Sequence, residues 1–292
     1  MKRPLAGTLA AGLLGAAALT GLAATPAAAT SADAQQHRPT SASSPHNAAA
    51  PDFEGSVALS NCSGSLVSLP DSQPSDPALV LSNGHCLEAG MPGPGTVVVD
   101  EPSSRGFTLL DASGQDAGTV SAVKVAYATM TDTDVSLYQV GESYEEIESE
   151  YGVTALDLDA EHPVAGNDIT VVSGYWKETF GCAIDAFVPE LREADWTMKD
   201  SLRYTAECET KGGTSGSPVV DDASGKVVGV NNTRNENGEE CTLDNPCEVD
   251  EDGNVTVREG IAYGQQTYLL AACVGKGNEV DLDLEGCTLP KP

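Results

Sequence analysis

The chain has 292 residues, with 44 aspartate and glutamate residues against 15 lysine and arginine residues, and its formal net charge is −29 at pH 7. A surface this acidic repels nucleic acid and anionic membranes, so we expect neither as a partner. The acidity favours solubility and could attract cationic substrates, but it does not indicate a fold.

The first 29 residues are typical of an export signal. A basic start, Met1-Lys2-Arg3, precedes an apolar Ala/Leu/Gly-rich stretch that runs to about Ala24, and small residues follow to Ala29. A membrane anchor is the alternative, but Gly and Thr interrupt the stretch, and no later segment is apolar and long enough to span a bilayer. We expect cleavage after Ala29 and a secreted, extracellular protein.

Residues 30–51 are rich in Ser, Ala, Thr and Pro and lack apolar periodicity. This composition predicts a disordered linker or a pro-segment, in which His37 and His46 are solvated. The remaining residues, 52–292, are long enough for one domain of two barrels. We place the first barrel at about 53–140 and the second at about 165–272.

Short β-type runs separated by turn residues dominate residues 52–292. The first set of runs is 56–59, 64–68, 78–81, 97–99, 106–110, 120–127 and 135–140. The second set is 169–175, 183–188, 201–206, 217–220, 227–231, 255–257 and 266–270. Two such sets predict an all-β fold of two antiparallel six-stranded β-barrels. An acidic helix is predicted over 143–150, and a short C-terminal helix begins near 269–273.

Eight cysteines in an exported chain predict four disulfides. Their order and spacing favour Cys62–Cys86, Cys182–Cys208, Cys241–Cys247 and Cys273–Cys287, although eight cysteines allow 105 pairings. A zinc site is the alternative. We expect no metal, because the chain has no Cys-x-x-Cys pair and only His85-Cys86 places the two residue types side by side.

Residues 238–253 are interpreted as an inserted acidic hairpin with a turn at Asp252-Gly253. Its acidic side chains could hold calcium, namely those of Asp244, Glu248, Asp250, Glu251 and Asp252. The spacing of a calcium loop is absent, however, so a solvated loop is the expectation.

The glycine-rich stretch 212–218, Gly-Gly-Thr-Ser-Gly-Ser-Pro, predicts a tight turn that presents Ser215. A serine hydroxyl becomes a nucleophile when a histidine takes its proton and a carboxylate orients that histidine. Outside the signal and linker, only His85 and His162 remain. His162 lies in a polar turn, whereas His85 follows an apolar run and precedes Cys86, which could hold it through a disulfide.

Asp134 is the favoured carboxylate because an alternating apolar run begins directly after it. Asp132 is the alternative, since it lies on the same face of an extended chain. The order His85, Asp134, Ser215 excludes an α/β-hydrolase, which requires the serine first and a Gly-x-Ser-x-Gly turn.

Four stretches carry a resemblance to a known family: 61–67 (Asn-Cys-Ser-Gly-Ser-Leu-Val), 82–86 (Ser-Asn-Gly-His-Cys), 134–137 (Asp-Val-Ser-Leu) and 213–218 (Gly-Thr-Ser-Gly-Ser-Pro). Together they resemble the chymotrypsin-like serine endopeptidases, especially the secreted bacterial branch that includes the glutamyl endopeptidases. The resemblance implies a double β-barrel with its active site between the barrels. It assigns His85 as general base, Asp134 as its orienter and Ser215 as nucleophile, with the Gly213 and Ser215 amides as the oxyanion hole. The implied substrates are proteins or peptides, no cofactor is needed, and we expect a monomer.

The resemblance departs from the family at the residue before the nucleophile. Animal members carry an aspartate there, which pairs with a new N-terminus, but this chain has Thr214. Activation by such an ion pair is therefore not expected.

The resemblance places the substrate pocket at 209–212, at 230–233, which includes Asn231 and Asn232, and near Gly264. Thr210 matches a threonine of the glutamyl endopeptidases, but their pocket histidine is replaced by Asn231. Glu209 instead occupies the place of the carboxylate that trypsin-like members use for cationic side chains. The two signals point to opposite specificities.

Two alternatives to an endopeptidase remain open. One is a catalytically inactive binding protein that keeps the protease fold. The other is an acidic, calcium-binding surface protein.

Overall fold

The computed structural model describes residues 51–292. The predicted export signal and most of the linker, with His37 and His46, lie outside the described residues. The first half contains the strands β1 (Ser56–Ala58), β2 (Ser63–Ser68), β3 (Pro77–Ser82), β4 (Val97–Pro102), β5 (Gly106–Leu110), β6 (Asp116–Thr129), β7 (Val135–Ser143) and β8 (Leu156–Asp157). The second half contains β9 (Asp168–Ser173), β10 (Glu178–Glu193), β11 (Trp196–Tyr204), β12 (Pro218–Asp221), β13 (Val227–Arg234), β14 (Cys247–Val249), β15 (Val255–Val257) and β16 (Ala262–Gln266). Two short α-helices are α1 (Tyr144–Tyr151) and α2 (Tyr268–Ala271).

Strand β1 closes the first barrel. It pairs with β2 on one side and β5 on the other, and the ring continues from β5 through β6, β7 and β3 to β2. All of these pairings are antiparallel. Strand β4 extends the sheet beside β6, and β8 adds to β2 in parallel. Closure leaves the six strands of the ring without a free edge.

The pairing of β10 with β11 closes the second barrel. The ring runs β9, β10, β11, β16, β13 and β12, again antiparallel throughout. The predicted fold class, two antiparallel six-stranded barrels in an all-β chain, is confirmed. The run 255–257 is a strand as expected, but it pairs only with β14, outside the ring.

Several strands are longer than predicted, or end elsewhere. Strand β10 extends far beyond the predicted 183–188 because its first residues pair with β9 and its later residues pair with β11 as far as Glu193. The predicted strand 266–270 is wrong, since β16 ends at Gln266 and α2 follows. Thr267 takes helical backbone angles there, and Leu270 turns into the core. Tertiary packing overrides the β-type composition of this run.

Helix α1 begins one residue later than predicted and carries its own start signal. The Ser143 hydroxyl accepts a hydrogen bond from the Glu146 amide, and the Glu146 carboxylate accepts one from the Ser143 amide. This reciprocal pair is a capping box, which satisfies two amides at the helix start. No helix in residues 51–292 is long and apolar enough to cross a membrane.

One hydrophobic cluster joins the two barrels. It includes Leu81 and Leu137 from the first barrel, Val172 and Val230 from the second, and Leu270 of α2, all buried. Each barrel also has a cluster of its own, so the shared cluster links two barrel cores.

Four disulfides are present, and no described cysteine is free. They join Cys62 to Cys86, Cys182 to Cys208, Cys241 to Cys247 and Cys273 to Cys287. These are the pairs that order and spacing favoured. Because Cys62 and Cys86 are bonded to each other, their sulfur atoms are not thiolate ligands for a metal beside His85.

The segment 272–292 returns to the first barrel. The Tyr127 hydroxyl donates to the carbonyl of Pro290, at 3.0 Å. The side-chain amide of Asn278 donates to the Pro77 carbonyl at 2.8 Å and to the Tyr144 hydroxyl at 2.9 Å. The segment after α2 thus connects the second barrel to the first.

Candidate active site

His85 sits in a one-turn 3-10 helix, Gly84–Cys86, that directly follows β3. The disulfide from Cys86 to Cys62 ties this turn to β2. Gly84 is required by close packing, because a Cβ atom there would lie 2.2 Å from the backbone oxygen of Thr129. The turn is therefore held from both sides, and the His85 ring has a defined place.

Asp134 is buried directly before β7 and holds His85 through two contacts. Its Oδ2 lies 2.7 Å from His85 Nδ1, and its Oδ1 accepts a hydrogen bond from the His85 backbone amide at 3.0 Å. The Asn83 side chain donates to the Asp134 carbonyl at 2.8 Å. A neutral imidazole in this position carries its proton on Nδ1, which leaves Nε2 free to accept a proton.

The environment raises the pKa of His85 above its ordinary value. Burial of the ring opposes the charged form and lowers the pKa, but the charge and hydrogen bond of Asp134, together with the smaller effects of Glu193 and Asp244, raise the pKa by more. The site therefore favours the imidazolium that forms when His85 takes a proton.

Ser215 lies in the turn between Gly213 and Gly216, both of which have positive φ angles, 88° and 80°. Gly216 also packs tightly, since a Cβ atom there would lie 2.1 Å from the carbonyl oxygen of Ser63. The Ser63 amide in turn donates to the Ser215 carbonyl at 2.8 Å. Strand β2 of the first barrel thus supports the turn of the second.

The Ser215 hydroxyl donates to the carbonyl of Asn232 at 3.1 Å. Among residues 51–292, no hydrogen bond joins it to His85, although both side chains line the same cleft. Proton transfer to His85 requires the hydroxyl to rotate away from Asn232. The neighbouring Ser217 is fully buried and does not line the cleft.

The backbone amides of Gly213 and Ser215 have no hydrogen-bond acceptor within the described part of the chain. The Gly212–Gly213 peptide is held from its other side, because Trp176 Nε1 donates to the Gly212 carbonyl at 2.8 Å. In a planar trans peptide the N–H points opposite to the C=O. Anchoring the carbonyl to Trp176 therefore fixes the direction of the Gly213 amide.

Thr214 is buried, and its hydroxyl is fully used. It donates to the Lys211 carbonyl at 2.6 Å and accepts from the side-chain amide of Asn231 at 3.0 Å. Asn231 also donates to the Thr214 carbonyl at 3.1 Å. The position before Ser215 is therefore satisfied by neutral hydrogen bonds and offers no carboxylate to a free N-terminus.

A cleft with an interior volume of about 80 Å³ contains the site. Of the predicted pocket residues, Thr210, Asn231 and Asn232 line it together with His85 and Ser215. The structure does not bring Glu209 or Gly264 into the lining. Glu209 is exposed to solvent, and Gly264 pairs within the sheet with Leu202 and Asn231.

The sequence analysis did not place four charged lining residues in the cleft: Glu193, Arg234, Glu236 and Asp244. Glu193 ends β10, and its carboxylate accepts a hydrogen bond from the Asp244 amide at 2.7 Å. Burial raises the pKa of Glu193. Arg234 had a usable signal, because it directly follows the predicted pocket segment 230–233 in the chain.

The competing candidates lie elsewhere. Asp132 is half exposed and pairs with Lys199 at 3.0 Å. His162 is exposed, lies 3.2 Å from Asp200, and does not line the cleft. Within residues 51–292, the acidic side chains of 238–253 form no converging cluster that could hold a metal ion. The carboxylate of Asp250 instead accepts hydrogen bonds from amides of its own turn.

Comparison with known families matches residues 62–230 to the trypsin-like peptidase domain. The match spans more than half of the chain and includes His85, Asp134 and Ser215. The chain belongs to the trypsin-like peptidase domain family. No curated protein sequence matches it significantly.

Solved structures similar to this trypsin-like peptidase domain include the MamO protease domain from Magnetospirillum magneticum, with 11% identity, a TM-score of 0.49, and coverage of 77% of this chain and 98% of that chain. The active form of the Rv3671c protease from M. tuberculosis has 16% identity, a TM-score of 0.46, and coverage of 87% and 96%. A Glu endopeptidase has 13% identity, a TM-score of 0.42, and coverage of 73% and 85%.

Proposed function

We propose that the protein is a secreted serine endopeptidase that hydrolyses peptide bonds through an acyl-enzyme. The main support is the arrangement of the site. One cleft contains the His85–Asp134 pair and the Ser215 hydroxyl, and the backbone amides of Gly213 and Ser215 have no acceptor in residues 51–292. Membership of the trypsin-like peptidase domain family supports the same reaction.

In the proposed acylation step, Ser215 Oγ attacks the carbonyl carbon of the scissile peptide while its proton passes to His85 Nε2. Asp134 remains ionised, keeps the Nδ1 proton in place and stabilises the imidazolium. The raised pKa of His85 favours this transfer, because it makes the imidazole a stronger base. The C–N bond then breaks, and the leaving amine takes the proton from Nε2.

The amides of Gly213 and Ser215 stabilise the oxyanion of the tetrahedral intermediate. Preorganised donors of this kind act because they need no rearrangement when the charge develops, and losing one costs roughly 10²–10³-fold in kcat. In deacylation, water attacks the ester carbonyl with His85 as base, and the acid product leaves with Ser215 Oγ reprotonated.

Export and the domain limits belong to the same proposal. Four disulfides are compatible with an oxidising compartment. We propose that residues 1–29 are a signal peptide, that 30–51 form a linker or pro-segment, and that 52–292 act as a monomeric protease domain on protein or peptide substrates. N-terminal sequencing of the secreted protein measures the first boundary, and a mature N-terminus that retains residues 1–29 would contradict it.

One observation favours the catalytically inactive, protease-fold binding protein as a second candidate. The Ser215 hydroxyl is bonded to Asn232 and not to His85. Loose contacts of this kind are common before substrate binds, so the geometry does not exclude catalysis.

Covalent labelling with a fluorophosphonate distinguishes the two candidates. The endopeptidase is expected to form a stoichiometric adduct on Ser215 and to hydrolyse an unfolded protein substrate, whereas Ser215→Ala does neither. Ser217→Ala serves as the matched control, because this serine is buried outside the cleft. A folded wild-type protein without an adduct would support the binding protein instead.

A second comparison tests the carboxylate. Asp134→Asn is expected to lower kcat by about 10⁴-fold, because the histidine loses the partner that fixes its tautomer. Asp132→Asn changes only an exposed pair with Lys199 and should have little effect. The reverse order of effects would exchange the two roles.

A further inference from the structure

The cations of this acidic protein are almost all paired. Among residues 51–292, only three lysine or arginine side chains have no carboxylate within salt-bridge distance: Arg105, Arg234 and Lys276. Arg105 is buried and donates to the Cys86 carbonyl and the Tyr138 hydroxyl, and Lys276 is exposed. Arg234 is the one of the three that lines the cleft.

Two segments line the cleft at Ser215, namely residues 210–215 and residues 231–234, and Arg234 ends the second one. Its Nη1 donates to the Thr210 carbonyl at 2.8 Å. The same two segments also meet where Asn231 contacts Thr214 and where Ser215 contacts Asn232. The guanidinium therefore lies where residues 210–215 and 231–234 together line the cleft, and we call this part of the cleft the slot.

Further hydrogen-bonding capacity lies in the same slot. Asn232 is only 4% exposed, and its Nδ2 is buried without an acceptor in the described part of the chain. The Arg234 guanidinium has the Thr210 carbonyl as a partner but no carboxylate to balance its charge, and the Asn232 amide donor has no acceptor in residues 51–292. A buried donor without an acceptor is unfavourable, so a ligand that supplies acceptors would be stabilised there. A carboxylate supplies them, and its hydrogen bonds to a guanidinium are charge-assisted.

The other charged groups of the cleft do not compensate Arg234. Lys211 forms a salt bridge with Glu178, with 2.6 Å between Nζ and Oε2, and its ammonium group lies over the ring of Trp176. Three carboxylates besides Asp134 line the cleft: Glu193, Glu236 and Asp244. Glu193 and Asp244 act on the pKa of His85, Glu236 is exposed, and none of the three is within salt-bridge distance of Arg234. Glu209, the carboxylate that would select a cationic side chain, is exposed and outside the lining.

We propose that the slot beside Ser215 is a subsite for a substrate carboxylate, with Arg234 as its charged contact and Asn232 as a further donor. The substrate class is then peptides with glutamate or aspartate as the residue whose carbonyl is attacked. This inference rests on the proposed endopeptidase function and decides between the opposite specificities that Glu209 and Thr210 indicated.

The experiment compares hydrolysis of three peptides that differ only at this residue, which is glutamate, glutamine or lysine. For the wild-type enzyme, kcat/KM for the glutamate peptide should exceed that for the glutamine peptide by about 10–100-fold, the range expected for a hydrogen bond to a charged group. Arg234→Gln should reduce this ratio to within a few-fold, and Arg234→Lys should retain part of it. Arg192→Gln is the matched control, since Arg192 is on β10 outside the cleft, and it should keep the ratio.

A wild-type preference for lysine, or an unchanged glutamate-to-glutamine ratio in Arg234→Gln, would overturn the subsite. Failure of the endopeptidase function has a different signature, namely no fluorophosphonate adduct and no hydrolysis of any of the three peptides. In that case calorimetry with Ser215→Ala still tests the subsite. Product peptides ending in glutamate should bind about 10–100-fold tighter than those ending in glutamine, and equal affinity would refute the carboxylate site.

Discussion

The charge state of His85 depends on carboxylates beyond its direct partner. Asp134 makes the contact, but Glu193 and Asp244 also raise the pKa of His85 from across the cleft. In the proposed mechanism His85 must be neutral to accept the proton of Ser215, so activity should fall as the pH drops through this raised pKa. The acidic limb of the rate profile is therefore expected above the range of an ordinary histidine.

Glu193→Gln tests this coupling. The amide keeps an oxygen that can accept from the Asp244 amide, but it removes a negative charge near His85. The imidazolium is then less favoured, the pKa of His85 falls, and the acidic limb of kcat/KM should move to lower pH. Glu190→Gln, on the same strand but outside the cleft, is the control. A limb that stays in place or moves to higher pH would contradict the coupling.

Trp176 should act as a positioning residue for the oxyanion hole. Trp176→Phe removes the donor to the Gly212 carbonyl and frees the peptide that carries the Gly213 amide. We expect kcat to fall by roughly ten- to a hundred-fold, less than the loss of a donor itself, with KM little changed. Tyr175→Phe changes the neighbouring exposed aromatic and should leave kcat near wild type. A rise in KM with constant kcat would indicate a substrate contact instead.

At the scale of elements, the 3-10 turn Gly84–Cys86 packs against the first barrel and thereby holds His85 in position. Gly84→Ala would place a methyl group against the Thr129 backbone and near Asp134 Oδ1. Backbone atoms cannot move aside as a flexible side chain can, so the turn must shift and lengthen the His85–Asp134 contact. We expect a loss of about 1–3 kcal/mol in unfolding free energy and a larger proportional loss of kcat.

The control for this change is Gly181→Ala in β10, where an added Cβ meets no atom within 4 Å. Both variants are compared by denaturant unfolding and by kcat. Equal effects of the two substitutions would show that the tight packing at Gly84 has no special role.

How much of the site the sequence could predict depends on how local each signal was. Ser215 and His85 lie in short motifs, and Asp134 begins an apolar run, so their positions could be inferred from neighbouring residues. Glu193 reaches the cleft only because β10 and β11 form a long hairpin, and the length of that hairpin depends on pairing across the barrel. The two barrels were likewise predictable from turn spacing, whereas the exact strand ends were not.

At the scale of the whole molecule, the segment 272–292 joins the barrels from outside. Asn278 is its main polar contact: it is buried, has a φ of 57°, and bonds Ser72, Pro77 and Tyr144. Such a residue combines a backbone conformation that asparagine tolerates with three hydrogen bonds that reach the first barrel.

Asn278→Ala should lower the unfolding free energy by about 2–4 kcal/mol, because buried partners lose their bonds and alanine disfavours the positive φ. Asn278→Gly separates the two causes, since glycine relieves only the backbone cost. Lys276→Ala, in the same turn but exposed, should be nearly neutral. Thermal and denaturant unfolding measure all three variants. An unchanged unfolding free energy in Asn278→Ala would show that the contacts of Asn278 do not stabilise the protein.

This segment also has a consequence for the order of events during synthesis. Residues 273–290 emerge after both barrels, yet they cover Tyr127 and Asn278 binds beside Pro77 in the first barrel. A nascent chain can form its first ring early, but that ring stays incompletely packed until the later residues arrive. We therefore expect the first barrel to reach its full stability only when that segment has docked.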